Sequence, residues 1–273
     1  MNTVVFDHAV IYVPHLEQAV RQFTALGFTV QLGGEHHHTC NALIIFNDQS
    51  YIELLALKPS WRRPLLLLAA RLGWVDYLAN SKKDISWRLL PWIVKRYGAI
   101  DWCVRTVSID KTLKRLATTD IPILKSQSYE RTRPDGTLVK WLLGGAQDLD
   151  LPYLIEDKTT LNVRVPLGAH TSHPNGAVSL RQINVSPIDT SRTARALSAL
   201  LNSSIIENKK DNLMVDLDKA MINLTEQSNL IGKFSLELEY NGDEPKLLDS
   251  NKTYGAEIRL VPKLQSEVKK SGV

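Results

Sequence analysis

Cysteine is scarce: only Cys40 and Cys103 occur in 273 residues, and they form no CxxC pattern. That excludes a disulfide framework and the common cysteine-rich zinc sites, and their apolar surroundings predict buried free thiols. Long hydrophobic runs are missing too, so no segment approaches the roughly 20 apolar residues of a membrane-spanning helix. The N-terminus lacks the basic start and apolar stretch of a signal peptide, which leads to the expectation of a cytoplasmic protein. Charge of one sign is not massed anywhere: 33 Lys and Arg against 29 Asp and Glu leave a formal charge of +4, scattered along the chain. A nucleic-acid groove needs a basic face, so nucleic acid is excluded as a partner. Gly33-Gly34 and Gly144-Gly145 lack the strand-then-helix context of a phosphate-binding loop, and no serine nucleophile motif stands out. What remains is an ordinary composition, 44% hydrophobic and 23% charged, enough for a substantial α+β core.

The order of periodicities carries more information. Val4 to Val13 is a β-rich run ended by Pro14, and Leu16, Ala19, Val20, Phe23 and Leu26 then recur at helical spacing. Gly27 sits where a helix ends, Phe28 to Leu32 reads as a strand, and Gly33-Gly34 reads as a break. Ala42 to Phe46, a turn at Asn47 to Ser50 and a strand from Tyr51 to Leu57 complete a βαβββ unit.

The unit recurs. Asp101 to Val107 aligns without a gap on Asp7 to Val13, followed by a helix through Leu113 and Leu116 and a strand from Ile121 to Ser126. Asp135-Gly136 marks a hairpin between Tyr129-Glu130-Arg131 and Leu138 to Leu143, and Leu151 to Glu156 closes the second copy. A third copy opens at Leu180 to Val185 and continues through a helix over Ser191 to Leu201. The fold class predicted is therefore α+β: paired βαβββ modules whose curved mixed sheets enclose a cleft, with a third, degenerate module at the C-terminus. Residues 1–175 would form one domain, with modules at 1–58 and 99–158 and a helical insertion at 59–98. Residues 176–273 would form the C-terminal module.

With these residues in view, the chain resembles the vicinal-oxygen-chelate superfamily, in its glyoxalase-like branch. The resemblance rests on Phe6-Asp7-His8, Pro14 to Ala19, Leu26-Gly27-Phe28, His36 to Asn41 with Ala42-Leu43, Tyr51-Ile52-Glu53-Leu54, Arg133 to Gly136 with Trp141, Leu151 to Asp157, and His173 to Ala177. Its motifs are specific for the fold and poor guides to the reaction, because the superfamily holds metal-dependent isomerases, dioxygenases and resistance enzymes as well as metal-free binding proteins. The resemblance implies one divalent metal, Zn, Ni, Mn or Fe, with ligands from the first and last strands of both modules. His8 and Glu53 match those positions in the first module. In the second, the gapless alignment puts Trp102 opposite His8 and Ile155 opposite Glu53, which reduces four ligands to two.

His8 and Glu53 are accordingly the candidate metal ligands and, without a metal, the candidate catalytic pair. Glu53 would remove a proton beside a carbonyl, while His8 or Asn41 would steady the oxyanion. The alternative for both is a hydrogen-bonded polar pair in the cleft, and for His8 a satisfied core histidine. Around them the candidate substrate-binding residues are His37, Thr39, Asn41, Trp102, Arg131, Trp141 and His173. Three consecutive histidines cannot all face one side of an extended segment, so at most one or two point in, and His37, His38 or His173 could join His8 and Glu53 as a further metal ligand. Thr39 and Asn41 offer a hydroxyl and an amide to a ligand, or anchor their own loop. Arg131 would favour an anionic or carbonyl-bearing ligand. His173-Pro174-Asn175-Gly176 reads first as a turn.

The insertion holds four of the six tryptophans, Trp61, Trp74, Trp87 and Trp92. It reads as a lid over an apolar ligand, a plain connection, a dimer contact, or a peripheral membrane contact through residues 61–97. The function expected is a glyoxalase-like enzyme acting on a small, partly apolar molecule bearing a carbonyl or vicinal oxygens. The alternative is a non-catalytic metabolite- or drug-binding protein of the same fold.

Overall fold

The structure, a computed structural model, describes residues 4–35, 39–58, 63–81, 84–88, 90–133, 135–208, 212–218, 220–225 and 234–263. The first module runs β1 (Val5–Tyr12), α1 (Leu16–Ala25), β2 (Gln31–Glu35), β3 (Thr39–Ile45) and β4 (Tyr51–Leu57). Helix α1 buries Ala19 and Phe23 as its periodicity predicts, and Phe23 meets Phe28 with ring centroids 6.0 Å apart. Burying each ring contributes roughly 1.5–3 kcal/mol. Gly33 and Gly34 do not end a strand; they lie inside β2, at a bulge against β3.

The insertion forms α2 (Arg63–Arg71), α3 (Trp74–Ser81), a 3-10 turn at Ile85–Trp87 and α4 (Leu90–Lys95). Leu65 and Leu68 on α2, Leu72 in the turn after it, and Trp74 and Tyr77 on α3 stand exposed. Among the described residues, no helix is long and apolar enough to cross a membrane. The second module is β5 (Gly98–Arg105), α5 (Ile109–Lys114), β6 (Ile123–Thr132), β7 (Leu138–Ala146) and β8 (Tyr153–Asp157), followed by the short α6 (Leu161–Arg164).

These strands make one eight-stranded sheet in the order β2-β3-β4-β1-β5-β8-β7-β6. Within each module the first and last strands pair in parallel, and β1 joins β5 antiparallel. In that central pair Ala9 faces Trp102, Val10 faces Asp101, and His8 faces Cys103, while Asp7 and Ile100 are the extra residues at the two bulges. A local two-fold through the Ala9–Trp102 pair therefore exchanges His8 with Asp101 and Val10 with Cys103. Because Val10 pairs with Glu53 on β4 and Cys103 pairs with Tyr153 on β8, the same axis exchanges Glu53 with Tyr153.

This register corrects the gapless alignment, which is one residue out on β5. A single-residue slip sends every side chain to the opposite face. Trp102 corresponds to Ala9, and both lie in the main apolar core, so Trp102 is removed from the candidate ligand contacts. The counterpart of Glu53 is Tyr153 rather than Ile155.

The C-terminal part repeats the plan. β9 (Ala177–Val185), α7 (Thr190–Leu201), β10 (Ile205–Asn208), β11 (Asn212–Leu217) and β12 (Ala220–Leu224) form the third module. β13 (Phe234–Tyr240), β14 (Lys246–Leu247) and β15 (Ile258–Pro262) extend its sheet to seven strands, β10-β11-β12-β9-β13-β15-β14. β13 pairs antiparallel with β9 and parallel with β15, as β5 does with β1 and β8, so these strands are a truncated fourth module. The largest core cluster joins the two sheets, with Ile11 and Val104 of the first, Ile183 and Leu236 of the second and Leu197 of α7 in one apolar body. The opposite face of the first sheet is left to line a cleft.

Candidate functional site

The cleft has a volume of about 540 Å³, with Val10, Leu55, Leu143 and Trp141 among its apolar walls and His8, Glu53, Tyr153 and Arg164 at its polar floor. Its floor is set by the bulge in β1. An extra residue re-aims its neighbours, and here Asp7 comes to lie against the imidazole of the next residue, with His8 Nδ1 2.7 Å from Asp7 Oδ1. Asp7 is fully buried and is gripped by both terminal nitrogens of Arg164, at 2.9 and 2.7 Å, and by Arg105 at 3.1 Å. Burial alone would raise its pKa, but the Arg164 charge and the bond to His8 overcome that and hold the carboxyl far below the usual range. Arg164 also ties Asp157 and the Tyr51 hydroxyl, and Tyr51 stacks on His8 with centroids 4.5 Å apart.

The other ring nitrogen faces the cleft. His8 Nε2 lies 2.5 Å from the Tyr153 hydroxyl and 3.5 Å from Glu53 Oε2. Burial pushes the Tyr153 phenol well above its ordinary pKa, so it keeps its proton and is the donor. The hydrogen-bond network thus assigns His8 the tautomer that donates from Nδ1 to Asp7 and accepts at Nε2. Glu53 Oε1 accepts a 2.6 Å bond from Asn41 Nδ2, which fixes the carboxylate and leaves Oε2 toward the cleft. Asn41 is therefore a holder of Glu53 through one of its two amide N–H groups.

Arg131 reaches the cleft from β6 and donates to Gly33 O and, at 3.5 Å, to Arg164 O. A Cβ at residue 33 would fall 2.4 Å from Asn41 Oδ1 and 3.3 Å from Arg131 Nη1, so the glycine makes room for both. Among the described residues Arg131 has no carboxylate partner within 4.0 Å. Burial lowers its pKa, as expected of a guanidinium that lacks a counter-ion.

Of the other candidates, Thr39 and Trp141 line the cleft, Trp141 stacking on Tyr129 across the hairpin. His37 and His38 lie outside the described residues. His173 lies outside the cleft: Nδ1 accepts from Thr29 N and Nε2 bonds Ile45 O, both at 3.1 Å, and the ring packs edge-on against Phe28 and Phe46. Both nitrogens being spent on backbone, it staples the first module to the following turn. Cys103 is a buried thiol, and Cys40 a half-buried one whose Sγ donates to Ala56 O.

Tyr153, Arg164 and Arg88 were missed by sequence reasoning. Tyr153 was hidden by the slipped register. The arginines come from segments outside the repeats, where no periodicity points to a cleft.

A glyoxalase-like domain family model matches residues 6–201. The chain belongs to the glyoxalase-like domain family. It is thereby a member of the vicinal-oxygen-chelate superfamily. A hypothetical protein from Staphylococcus aureus has a similar structure at 17% identity and a TM-score of 0.71, covering 95% of this chain and 99% of that one. The Mn(II)-bound glyoxalase from Novosphingobium aromaticivorans is similar at 9% identity and a TM-score of 0.50, covering 88% of this chain and 66% of that one. None of the curated protein sequences compared with the chain matches it.

The metal that this glyoxalase-like fold implies can be tested against the donors present. The two-fold gives four positions, His8, Glu53, Asp101 and Tyr153. Glu53 Oε2 faces the cleft, while His8 Nε2 is taken by the Tyr153 hydroxyl. Asp101 is not open: Arg88 Nε binds its Oδ2 at 2.8 Å and Nη2 its Oδ1 at 3.0 Å. Tyr153, kept as a phenol by burial, spends its hydrogen on His8. A second group, Asp7, His8 and Cys103, has ligand atoms within 4.8 Å of one another. There Asp7 is already neutralised by Arg164 and Arg105, and burial holds the Cys103 thiol in its protonated form. Neither donor set, as arranged, fits a resident divalent ion.

Proposed function

We propose that this chain is an enzyme that moves a proton within a small, partly apolar molecule carrying a carbonyl beside an acidic C–H, with an anionic or oxygen-rich end toward Arg131. The observation that carries the reading is a base and an acid facing the same space: Glu53 Oε2 and the Tyr153 hydroxyl lie 3.5 and 2.5 Å from His8 Nε2 at the floor of an apolar-walled cleft. Glu53 takes the proton from carbon. The Tyr153 hydrogen, held by His8 in the free cleft, turns to the carbonyl oxygen and neutralises the developing enolate. To finish an isomerisation, the other hydroxyl of the enediol returns a proton to Tyr153 while Glu53 delivers its proton to the former carbonyl carbon; reversal at the original carbon after the Glu53 proton has been replaced from solvent gives exchange.

His8 acts behind Tyr153. Asp7 keeps its Nδ1 protonated, so Nε2 stays an acceptor and orients the phenol. Arg131 fits a carboxylate or a second carbonyl oxygen, because its charge is not spent on a neighbouring carboxylate. The Mn(II) of the Novosphingobium glyoxalase is not carried over, since the second module's counterparts offer an ion-paired carboxylate and a phenol.

The test is solvent exchange. Hydroxy-aldehydes, hydroxy-ketones and 2-oxo acids with apolar side chains would be incubated with the protein in D2O, and deuterium at the carbon beside the carbonyl read by NMR. Glu53→Gln should abolish exchange while ligand-observed NMR still detects binding. Exchange at the wild-type rate in that variant would sink the assignment. A second reading, a binding protein without turnover, is favoured by the ion-paired Asp101, and predicts ligands that bind without exchanging.

A further inference from the structure

We infer that Arg88, a buried guanidinium carried by the insertion, neutralises the carboxylate that stands at the two-fold counterpart of the His8 position, so that the second module supplies no metal ligand there and the site works without a metal. Asp101 occupies the two-fold counterpart of the His8 position, and both its oxygens are bound by Arg88. Both side chains are buried, Arg88 to 1% exposure and Asp101 to none. The remaining Arg88 donors are also used: Nη1 reaches Ala146 O at 2.9 Å and Asp148 O at 3.4 Å, and Nη2 reaches Leu151 O. All five N–H groups have acceptors, so the arginine is built in rather than waiting for a ligand.

The second module is shaped to receive it. A Cβ at residue 145 on β7 would come within 3.2 Å of Ile85 Cδ1 and 3.5 Å of Arg88 Nη1, so Gly145 clears the space through which the insertion enters. The buried carboxylates are already compensated: Arg88 pairs with Asp101, and Arg164 and Arg105 pair with Asp7. A dication placed among them would add buried charge without a partner, which is strongly disfavoured.

The inference does not depend on Glu53 acting as a base, and metal content is read without turnover, so the two claims fail separately. Tag-free protein would be incubated with Mn²⁺, Zn²⁺, Ni²⁺ or, anaerobically, Fe²⁺, dialysed and measured by elemental analysis. Wild type should retain far less than one equivalent of each. Arg88→Met frees the Asp101 carboxylate at the counterpart of the His8 position, and should gain close to one equivalent together with a metal-dependent rise in Tm, both lost when Asp101→Asn is added. One equivalent in the wild type, removed by His8→Ala or Glu53→Ala, would overturn the inference, as would a folded Arg88→Met that gains no metal. Should Arg88→Met not fold, the charge-neutral double variant Arg88→Met with Asp101→Asn decides alongside the wild type. It should fold and stay metal-free, and metal binding by it through His8 and Glu53 alone would overturn the inference.

Discussion

The two halves of the cleft are built on one plan and put to different use. Both place a bulge in the central strand, pair the first strand with the last in parallel, and set one polar side chain from each at matching positions. In the first module these are His8 and Glu53, which line the cleft. In the second they are Asp101 and Tyr153, one neutralised by an arginine from the insertion and the other a buried phenol. The difference teaches that backbone symmetry sets where polar groups converge, while the segments between the repeats decide their chemistry. Arg88 enters from the insertion and Arg164 from the helix after β8, and each fixes one buried aspartate.

The comparison can be broken most severely at the charge pairs. Arg164→Met strands Asp7, and leaving a buried carboxylate without its partner should cost about 3–5 kcal/mol, read as a fall in the urea midpoint. A loss near zero would mean that Arg105 alone suffices and that the floor is not organised by Arg164. Next comes chemistry. Removing the proton donor of the second module with Tyr153→Phe should lower kcat by roughly 10²–10³ while substrate affinity changes little, because the phenol acts on charge that develops in the transition state. An equal loss in affinity would make Tyr153 a binding group instead.

Smaller effects sharpen the picture. Gly145→Val intrudes on Ile85 and Arg88 and should cost about 1–3 kcal/mol through overpacking, detected as a lowered Tm. The pH dependence of stability separates the two buried groups in the first module's surroundings. Burial lowers His173 below its ordinary 6.5, so the folded state binds fewer protons than the unfolded chain and stability falls as pH drops below about 6.5. Asp7, held far below 3.8, contributes stability that is present above 3.8 and is lost only on further acidification. Replacing His173 with Asn should flatten the first limb of the Tm–pH curve and leave the second, and an unchanged first limb would show that another group governs it.

Much of the fold was legible in the chain because strands with one buried face carry period two and helices carry their own. The apolar run from Tyr51 to Leu57, bounded by the turn at Asn47 to Ser50, and the stripe from Leu16 to Phe23 sufficed for the modules. The site was legible only in part. Glu53, Asn41, Arg131 and Trp141 lie where the pattern pointed, on strands whose register the hairpins fix. Trp102 did not, because the bulges at Asp7 and Ile100 shift the two-fold by one residue and leave no mark in hydrophobicity. His173 carries a cleft-like motif but spends both ring nitrogens on backbone atoms. Arg88 and Arg164 act across 13 and 157 residues of sequence on Asp101 and Asp7, and no local pattern announces contacts of that kind.

The most direct test of the account is the protonation of His8, because the acid role of Tyr153 depends on an Nε2 that accepts. Ring ¹⁵N NMR of selectively labelled protein at neutral pH should find Nδ1 protonated and Nε2 bare and hydrogen-bonded, with the Nε2 resonance moving in Tyr153→Phe. A protonated Nε2, or one unmoved by loss of the phenol, would contradict the proton-transfer arrangement at the floor of the cleft.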